Sequence, residues 1–299
     1  MKRSGLYFVF ILSAFLSEGQ DFKFERKTMT YADTLGLDLF VPKKSGEPMP
    51  LLVYVHGGGF SGGKRDLPNH LNFCERFAKK GWVTATISYH LTMKGKSFGC
   101  DQPVQNKINT FRKSAENIHQ AVAFLMKQKV NIDTTQIVIA GSSAGAEAVI
   151  QAAYWPETKR GILPASFKYA GVISMAGALL DINWITAETA IPTALFHGTC
   201  DNLVPYGTAS HHYCRAENDG YMMLFGSASI ADRLESLGKS YYLLSDCGGG
   251  HEWNEWPIRP EHVHMIEDFL EFDVLKQKER QTRVVYHMGK RDCKLDLCE

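Results

Sequence analysis

Short apolar runs alternate with amphipathic stretches along most of this chain, as strands alternate with helices in an α/β domain. Apolar runs predict strands at Phe24–Tyr31, Leu35–Val41, Leu51–His56, Trp82–Ser88, Gln136–Ala140, Ala170–Ala176, Thr193–His197 and Tyr241–Ser245. Only Ala32-Asp33-Thr34 separates the first two, so they read as a hairpin. The later runs are short, apolar and spaced by helical stretches, as parallel strands covered on both faces are. A helix starts near Asp66 and Pro68, with Leu71, Cys74 and Phe77 on one face. Phe111, Ala115, Ile118, Val122 and Leu125 form a second amphipathic stripe. Ala144–Ala153 is small and apolar, suited to a helix against a sheet, and Ser229–Leu237 and Glu261–Phe269 complete the set.

Two segments, Leu91–Lys107 and Leu203–Gly226, fit no regular period and read as cap-like excursions over the sheet edge. With no repeat and no linker, the 299 residues read as one domain. The ends differ from the middle. Lys2 and Arg3 precede the apolar run Leu6 to Leu16, which is short for a bilayer, and small residues Ser17 and Gly19 flank Glu18. Residues 1–19 therefore read as a cleaved signal peptide, with an uncleaved anchor as the rival reading. Residues 20–275 form the expected folded domain. Residues 276–299 are a basic tail, either a disordered end or a small stapled loop.

Composition is that of a globular protein, 44% hydrophobic and 22% charged, which argues against disorder. A formal charge of +1 gives no reason to expect a nucleic-acid partner. The signal places the mature protein in a secreted or periplasmic setting, without stable membrane insertion. No N-x-S/T sequon is present, which weighs mildly against a glycosylated route. Export permits disulfides, and an odd count of seven cysteines leaves at least one thiol free or paired between molecules.

Candidate chemistry centres on Ser143 in Gly141-Ser142-Ser143-Ala144-Gly145, directly after the strand ending at Ala140. A G-x-S-x-G pentapeptide between strand and helix forces its serine onto a tight turn at the helix N-terminus. Glycines flank it because a Cβ there would clash with a neighbouring element. His56-Gly57-Gly58-Gly59-Phe60, after another strand, frees backbone N–H groups to face a cavity. Acyl transfer needs a nucleophile, a base, a group that orients the base and donors for the oxyanion.

With both motifs in place the chain resembles the α/β-hydrolase superfamily, and within it the esterase and lipase groups with an HGGG segment. Hormone-sensitive-lipase-like and acetylxylan/feruloyl-type esterases are the nearest in pattern. The resemblance covers Phe24 to Leu275. It implies an eight-stranded, mostly parallel sheet flanked by helices, and the chain order nucleophile, acid, histidine. It also implies that the N–H groups of Gly57, Gly58 and Ala144 are the oxyanion donors. That order selects Asp201, in the loop beyond the strand Thr193–His197, as the acid, with His197 and Gly198 structural. His251, after Asp246-Cys247-Gly248-Gly249-Gly250, is the base. Asp246 and Glu252 are rival acids, but they adjoin the histidine, whereas the orienting group normally comes from another strand end. Cys200 and Cys247 lie beside the acid and before the histidine. A disulfide between them would lock the two loops, and two buried thiols is the equal alternative.

Aromatic residues gather around these motifs. Phe60, Tyr154, Trp155, Trp184 and Trp253 are the expected substrate contacts, with Tyr206, Tyr221 and Trp256 nearby. The expected reaction is hydrolysis of small soluble carboxylic esters, acetyl or feruloyl esters of polysaccharides among them, through an acyl-enzyme on Ser143. No metal or organic cofactor is called for. The rivals are a serine peptidase of the same fold, which usually carries an extra domain, and a non-catalytic binding protein, which commonly lacks a triad member.

Overall fold

The structure is a computed structural model that describes residues 21–44, 46–293 and 298. The signal peptide expected at residues 1–19 lies outside the described residues. In chain order the strands are β1 (Phe24–Ala32), β2 (Leu35–Pro42), β3 (Met49–Val55), β4 (Val83–Ile87), β5 (Ile132–Ser142), β6 (Gly171–Met175), β7 (Ala178–Leu179), β8 (Thr193–Gly198), β9 (Thr208–Ser210), β10 (Met223–Gly226), β11 (Tyr241–Asp246) and β12 (Gln281–Tyr286). The α-helices are α1 (Pro68–Lys79), α2 (Val104–Met126), α3 (Ala144–Tyr154), α4 (Ser227–Ser236) and α5 (His264–Phe269), the last running on into a π-helical turn at Leu270–Leu275.

All eight expected strands are present in one sheet, and a ninth joins them. The order is β1-β2-β4-β3-β5-β6-β8-β11-β12. β1 pairs antiparallel with β2, and β2 with β4, while the rest of the sheet is parallel. Side chains along β3 explain why. Leu51, Val53 and Val55 face one core cluster with residues of α2, α3 and α4, whereas Leu52 and Tyr54 face another with α1 and α5. A strand apolar on both faces is stable only between two helical layers. The hairpin β1–β2 lies at the sheet margin, where β1 is exposed from Glu25 to Thr28 and half-buried at Met29, Tyr31 and Ala32.

The tail reading needs correction. Within this tail Gln281–Tyr286 is neither a disordered end nor a loop, because it adds β12 in parallel to β11. Its alternating exposure, with Arg283 in the middle, masks it in a hydrophobicity reading. Arg283 ties this edge to α4 through Asp232 at 2.7 Å and Glu235 at 2.6 Å, and to β11 through the Tyr241 hydroxyl at 2.9 Å. The cap-like excursions also carry more order than expected. β9 and β10 form a small antiparallel sheet with β7, and the first turn of α2 occupies the end of Leu91–Lys107.

The proposed Cys200–Cys247 bridge is absent. Cys200 pairs with Cys293 and Cys247 with Cys298, so each of these loop cysteines is tied to the tail instead of to the other. The two loops already touch through backbone hydrogen bonds, Thr199 N–H to Asp246 O at 3.0 Å and Cys200 N–H to Gly249 O at 2.7 Å. Cys100–Cys214 joins the two cap excursions, and Cys74 is the free thiol, buried under β4. A disulfide typically contributes about 2–4 kcal/mol. Non-reducing peptide mapping is expected to recover these three pairs, and reductant to lower the denaturant midpoint of unfolding. Recovery of a Cys200–Cys247 peptide, or a midpoint indifferent to reductant, contradicts the assignment.

Candidate active site

Ser143 occupies the single residue between β5 and α3, with φ 50° and ψ −123°, a conformation that L side chains rarely adopt. The strain is held by close backbone contacts that only glycine permits. A Cβ on Gly141 would stand 2.2 Å from the Gly145 carbonyl oxygen, and one on Gly145 would stand 2.2 Å from that of Val55. The end of β3, the end of β5 and the start of α3 thus meet backbone to backbone. Ser143 N–H donates to Met175 O at 2.9 Å, and its own carbonyl accepts from Glu147 N–H at 2.9 Å.

Three strand ends converge on this turn, on the side of an open sheet where reactive groups gather. The Ser143 hydroxyl lies 2.7 Å from His251 Nε2, and His251 Nδ1 lies 2.6 Å from Asp201 Oδ2. That pattern fixes the tautomer, with Nδ1–H donating to the carboxylate and Nε2 free to accept from serine. The other carboxylate oxygen of Asp201 accepts from Leu203 N–H at 2.9 Å and Val204 N–H at 3.1 Å. Burial works to raise the pKa of Asp201, but the hydrogen bonds from His197 and His251 outweigh it and hold the carboxyl well below the usual range.

His197, read from sequence as structural, braces the acid directly: its Nε2 stands 3.3 Å from Asp201 Oδ2, and its Nδ1 meets the Ser227 hydroxyl at 2.8 Å. Its position four residues before Asp201 was the available signal. Neither rival acid reaches His251. Asp246 accepts from Trp253 Nε1 at 2.8 Å and from Met288 N–H at 2.7 Å, and Glu252 from Gly250 N–H at 2.9 Å and Arg291 at 2.7 Å. The glycines before His251 serve close packing more than mobility. A Cβ on Gly249 would meet Asp246 Oδ2 at 2.4 Å, and one on Gly250 would meet the Arg291 guanidinium at 2.5 Å.

The glycine run after β3 lies against the nucleophile: a Cβ on Gly57 would fall 3.0 Å from that of Ser143. Among the described residues, the N–H groups of Gly57 and Gly58 donate to no protein acceptor. Ala144 opens α3, so its N–H has no intrahelical partner. His56 holds the run in place, with Nδ1 2.7 Å from Gly57 O and its ring stacked on Tyr89 at 4.6 Å. Burial pushes the His56 pKa down to about 4.

The expected aromatic contacts are corrected. Phe60 is fully buried against Phe98 and Phe111, Tyr154 hydrogen-bonds Thr193 at 2.6 Å inside the core, and Trp253 is fully buried. Trp155 stacks on Trp184 at 4.9 Å beyond the far end of α3, about 16 Å along the helix from Ser143. Aromatic residues near a motif in sequence were core residues of the elements carrying it. Leu203 and Tyr213 are exposed instead, beside Asp201, where Leu203 O accepts from His212 N–H at 3.0 Å. His212 and Tyr213 have φ values of 55° and 52°, so the backbone bends sharply there.

Residues 37–168 match the BD-FAE family. Gut esterase 1 of Caenorhabditis elegans is 30% identical over 164 residues, which is 54% of this chain and 27% of that protein. Phenmedipham hydrolase of Pseudarthrobacter oxydans is 31% identical over 132 residues, 43% of this chain and 24% of that protein. The chain thus spans about a quarter of the length of these curated relatives. Among solved structures, Thermogutta terrifontis esterase 2 phosphorylated by paraoxon superposes with a TM-score of 0.56 at 16% identity, covering 83% of this chain and 91% of that one. Esterase B from Lactobacillus rhamnosis HN001 gives 0.54 at 16%, covering 87% and 90%. At that identity the likeness is one of fold.

Three buried histidines and the half-buried His212 make acid stability a sharp test. Burial pushes His119 and His211 down to about 3, and His56 and His212 to about 4. Each is neutral in the folded state but takes up a proton near 6.5 when unfolded, so their contribution is complete above that pH and lost as pH falls towards 3. Denaturant midpoints should drop steadily below about pH 6.5. A flat profile down to pH 4 contradicts the burial of these rings.

Proposed function

We propose that this chain is an esterase of the α/β-hydrolase kind that hydrolyses small soluble carboxylic esters through an acyl-enzyme on Ser143. The unbroken hydrogen-bond chain Ser143–His251–Asp201 beside Gly57 carries the reading. His251 Nε2 takes the hydroxyl proton as Ser143 attacks the ester carbonyl, and Asp201 stabilises the imidazolium that forms. The N–H groups of Gly57, Gly58 and Ala144 receive the oxyanion, and the start of α3 adds its positive dipole end. Alcohol leaves with the proton from His251. Water then enters, gives a proton to the same nitrogen and attacks the acyl carbonyl; the carboxylic acid leaves as Ser143 takes that proton back from His251.

Leu203 and Tyr213 are the proposed walls for the alcohol half, since they are exposed next to the acid and neither serves the core. Short acyl groups, acetyl first, and feruloyl esters on polysaccharides are the proposed substrates. Export through the signal at residues 1–19 accords with three disulfides, which persist in oxidising surroundings. Among the described residues no helix is long and apolar enough to cross a membrane.

Ser143→Ala is expected to lower kcat by about 10⁴-fold or more, and Asp201→Asn by about 10³–10⁴-fold, with KM little changed. A fluorophosphonate should label Ser143 alone. Turnover that survives Ser143→Ala, or labelling elsewhere, sinks the mechanism. Rates on p-nitrophenyl acetate should exceed those on p-nitrophenyl octanoate by about tenfold or more, with methyl ferulate testing the aromatic acyl group. Preference for octanoate overturns the substrate class.

A further inference from the structure

Beneath the cap lies a group of buried ionisable side chains that the mechanism does not use. Glu147 stands in the first turn of α3 and is 2% exposed, His211 follows β9 at 1%, and Lys107 in α2 is fully buried. They line up. Lys107 Nζ donates to Gly220 O at 2.9 Å and lies 3.5 Å from His211 Nδ1, while His211 Nε2 lies 3.3 Å from Glu147 Oε1. An ammonium only donates, so His211 Nδ1 must accept and Nε2, the ring nitrogen nearer Glu147, must carry the proton.

The 3.3 Å contact is out of line for a hydrogen bond, and among the described residues both Glu147 Oε1 and His211 Nε2 are otherwise unpartnered. The nearest cation, Lys107, is engaged elsewhere on the far side of the imidazole. A carboxylate so placed would be a buried charge without a direct partner, which a protein interior strongly disfavours. The neutral acid is the form this geometry accommodates. Glu147 also sits about 5 Å along the helix axis from Ala144, close to the turn that would receive the oxyanion.

We propose that Glu147 is a positioning residue that works only as the neutral acid, seating His211 and the cap on α3 while leaving the positive end of that helix free for the oxyanion. This rests on Ser143 as the nucleophile. On losing its proton to solvent, the carboxylate opposes the oxyanion and cancels part of the helix dipole. The groups that face it are His211 and His212 from the cap, Lys107 from α2, Tyr89 after β4, and His251 and Asp201 of the triad. Burial pushes the Glu147 pKa up to about 8, against the partial pull of His212, His251 and Lys107, so the change falls on the alkaline side of neutrality.

The test is kcat/KM for p-nitrophenyl acetate, corrected for spontaneous hydrolysis, from about pH 6 to about pH 10. The full chain should lose about tenfold above a midpoint near 8, while Glu147→Gln, a neutral isostere, should hold its plateau across that range. An alkaline fall identical in Glu147→Gln overturns the proposal, as does the absence of any fall in the unsubstituted chain. Infrared difference spectra between the two ends of the range provide a readout independent of turnover and of the substitution's effect on folding. A protonated-carboxyl band in the unsubstituted chain should disappear as pH rises. If that band is missing at low pH, Glu147 is already ionised and the proposal fails even where Ser143 proves to be the nucleophile. If the band titrates but no ester is turned over, the failure belongs to the esterase reading.

Discussion

The backbone crossing at Gly145 is the constraint on which the rest of this molecule depends. There the carbonyls of Val55 and His56 press against the first turn of α3, at distances that no side-chain carbon survives. Strand β3 delivers the glycine run, β5 delivers the serine, and α3 leaves from the same point. Separating these elements by one methyl group would relax the turn at Ser143 and move Gly57 away from it. The strained φ at Ser143 is therefore a product of the sheet, maintained by two layers of helices that keep β3 and β5 in register.

Around that crossing the supports grade outward. His56 and Tyr89 fix the glycine run, and His197 and two backbone N–H groups fix Asp201. The tail fixes the His251 loop, with Arg291 N–H donating to Gly248 O at 3.1 Å and Met288 N–H to Asp246. Backbone N–H and carbonyl groups carry much of this support, and the ion pair of Arg291 with Glu252 stays at the surface. Backbone groups that pair with one another cost little desolvation when buried.

Much of this was legible in the sequence. Apolar runs locate the eight strands because buried parallel strands tolerate few polar residues. The order nucleophile, acid, histidine is what the resemblance to α/β-hydrolases implies, and Ser143, Asp201 and His251 fit it because each lies in the loop beyond such a run. Edge strand β12 escaped because one solvent-facing side gave it alternating polar residues such as Arg283. Disulfide partners escaped because pairing depends on which loops the tail crosses, and nothing local to Cys200 or Cys247 encodes that. The aromatic residues misled for a related reason: Phe60, Tyr154 and Trp253 are close to the site along the chain, yet they point into the layers that hold it. Proximity in sequence locates a loop's ends, whereas the direction of a side chain depends on what packs above it.

The clasp on the Asp201 and His251 loops also imposes an order in time. Cys200 waits for a partner made 93 residues later, and Cys247 for one made 51 residues later. A ribosome has therefore released the whole sheet before either loop is secured. The two links interleave along the chain instead of nesting, so oxidation that pairs Cys200 with Cys247 first would leave Cys293 and Cys298 only each other as partners. Maturation of this protein is in that sense a sorting problem among four sulfur atoms, solved only once β12 has laid the tail across the two loops.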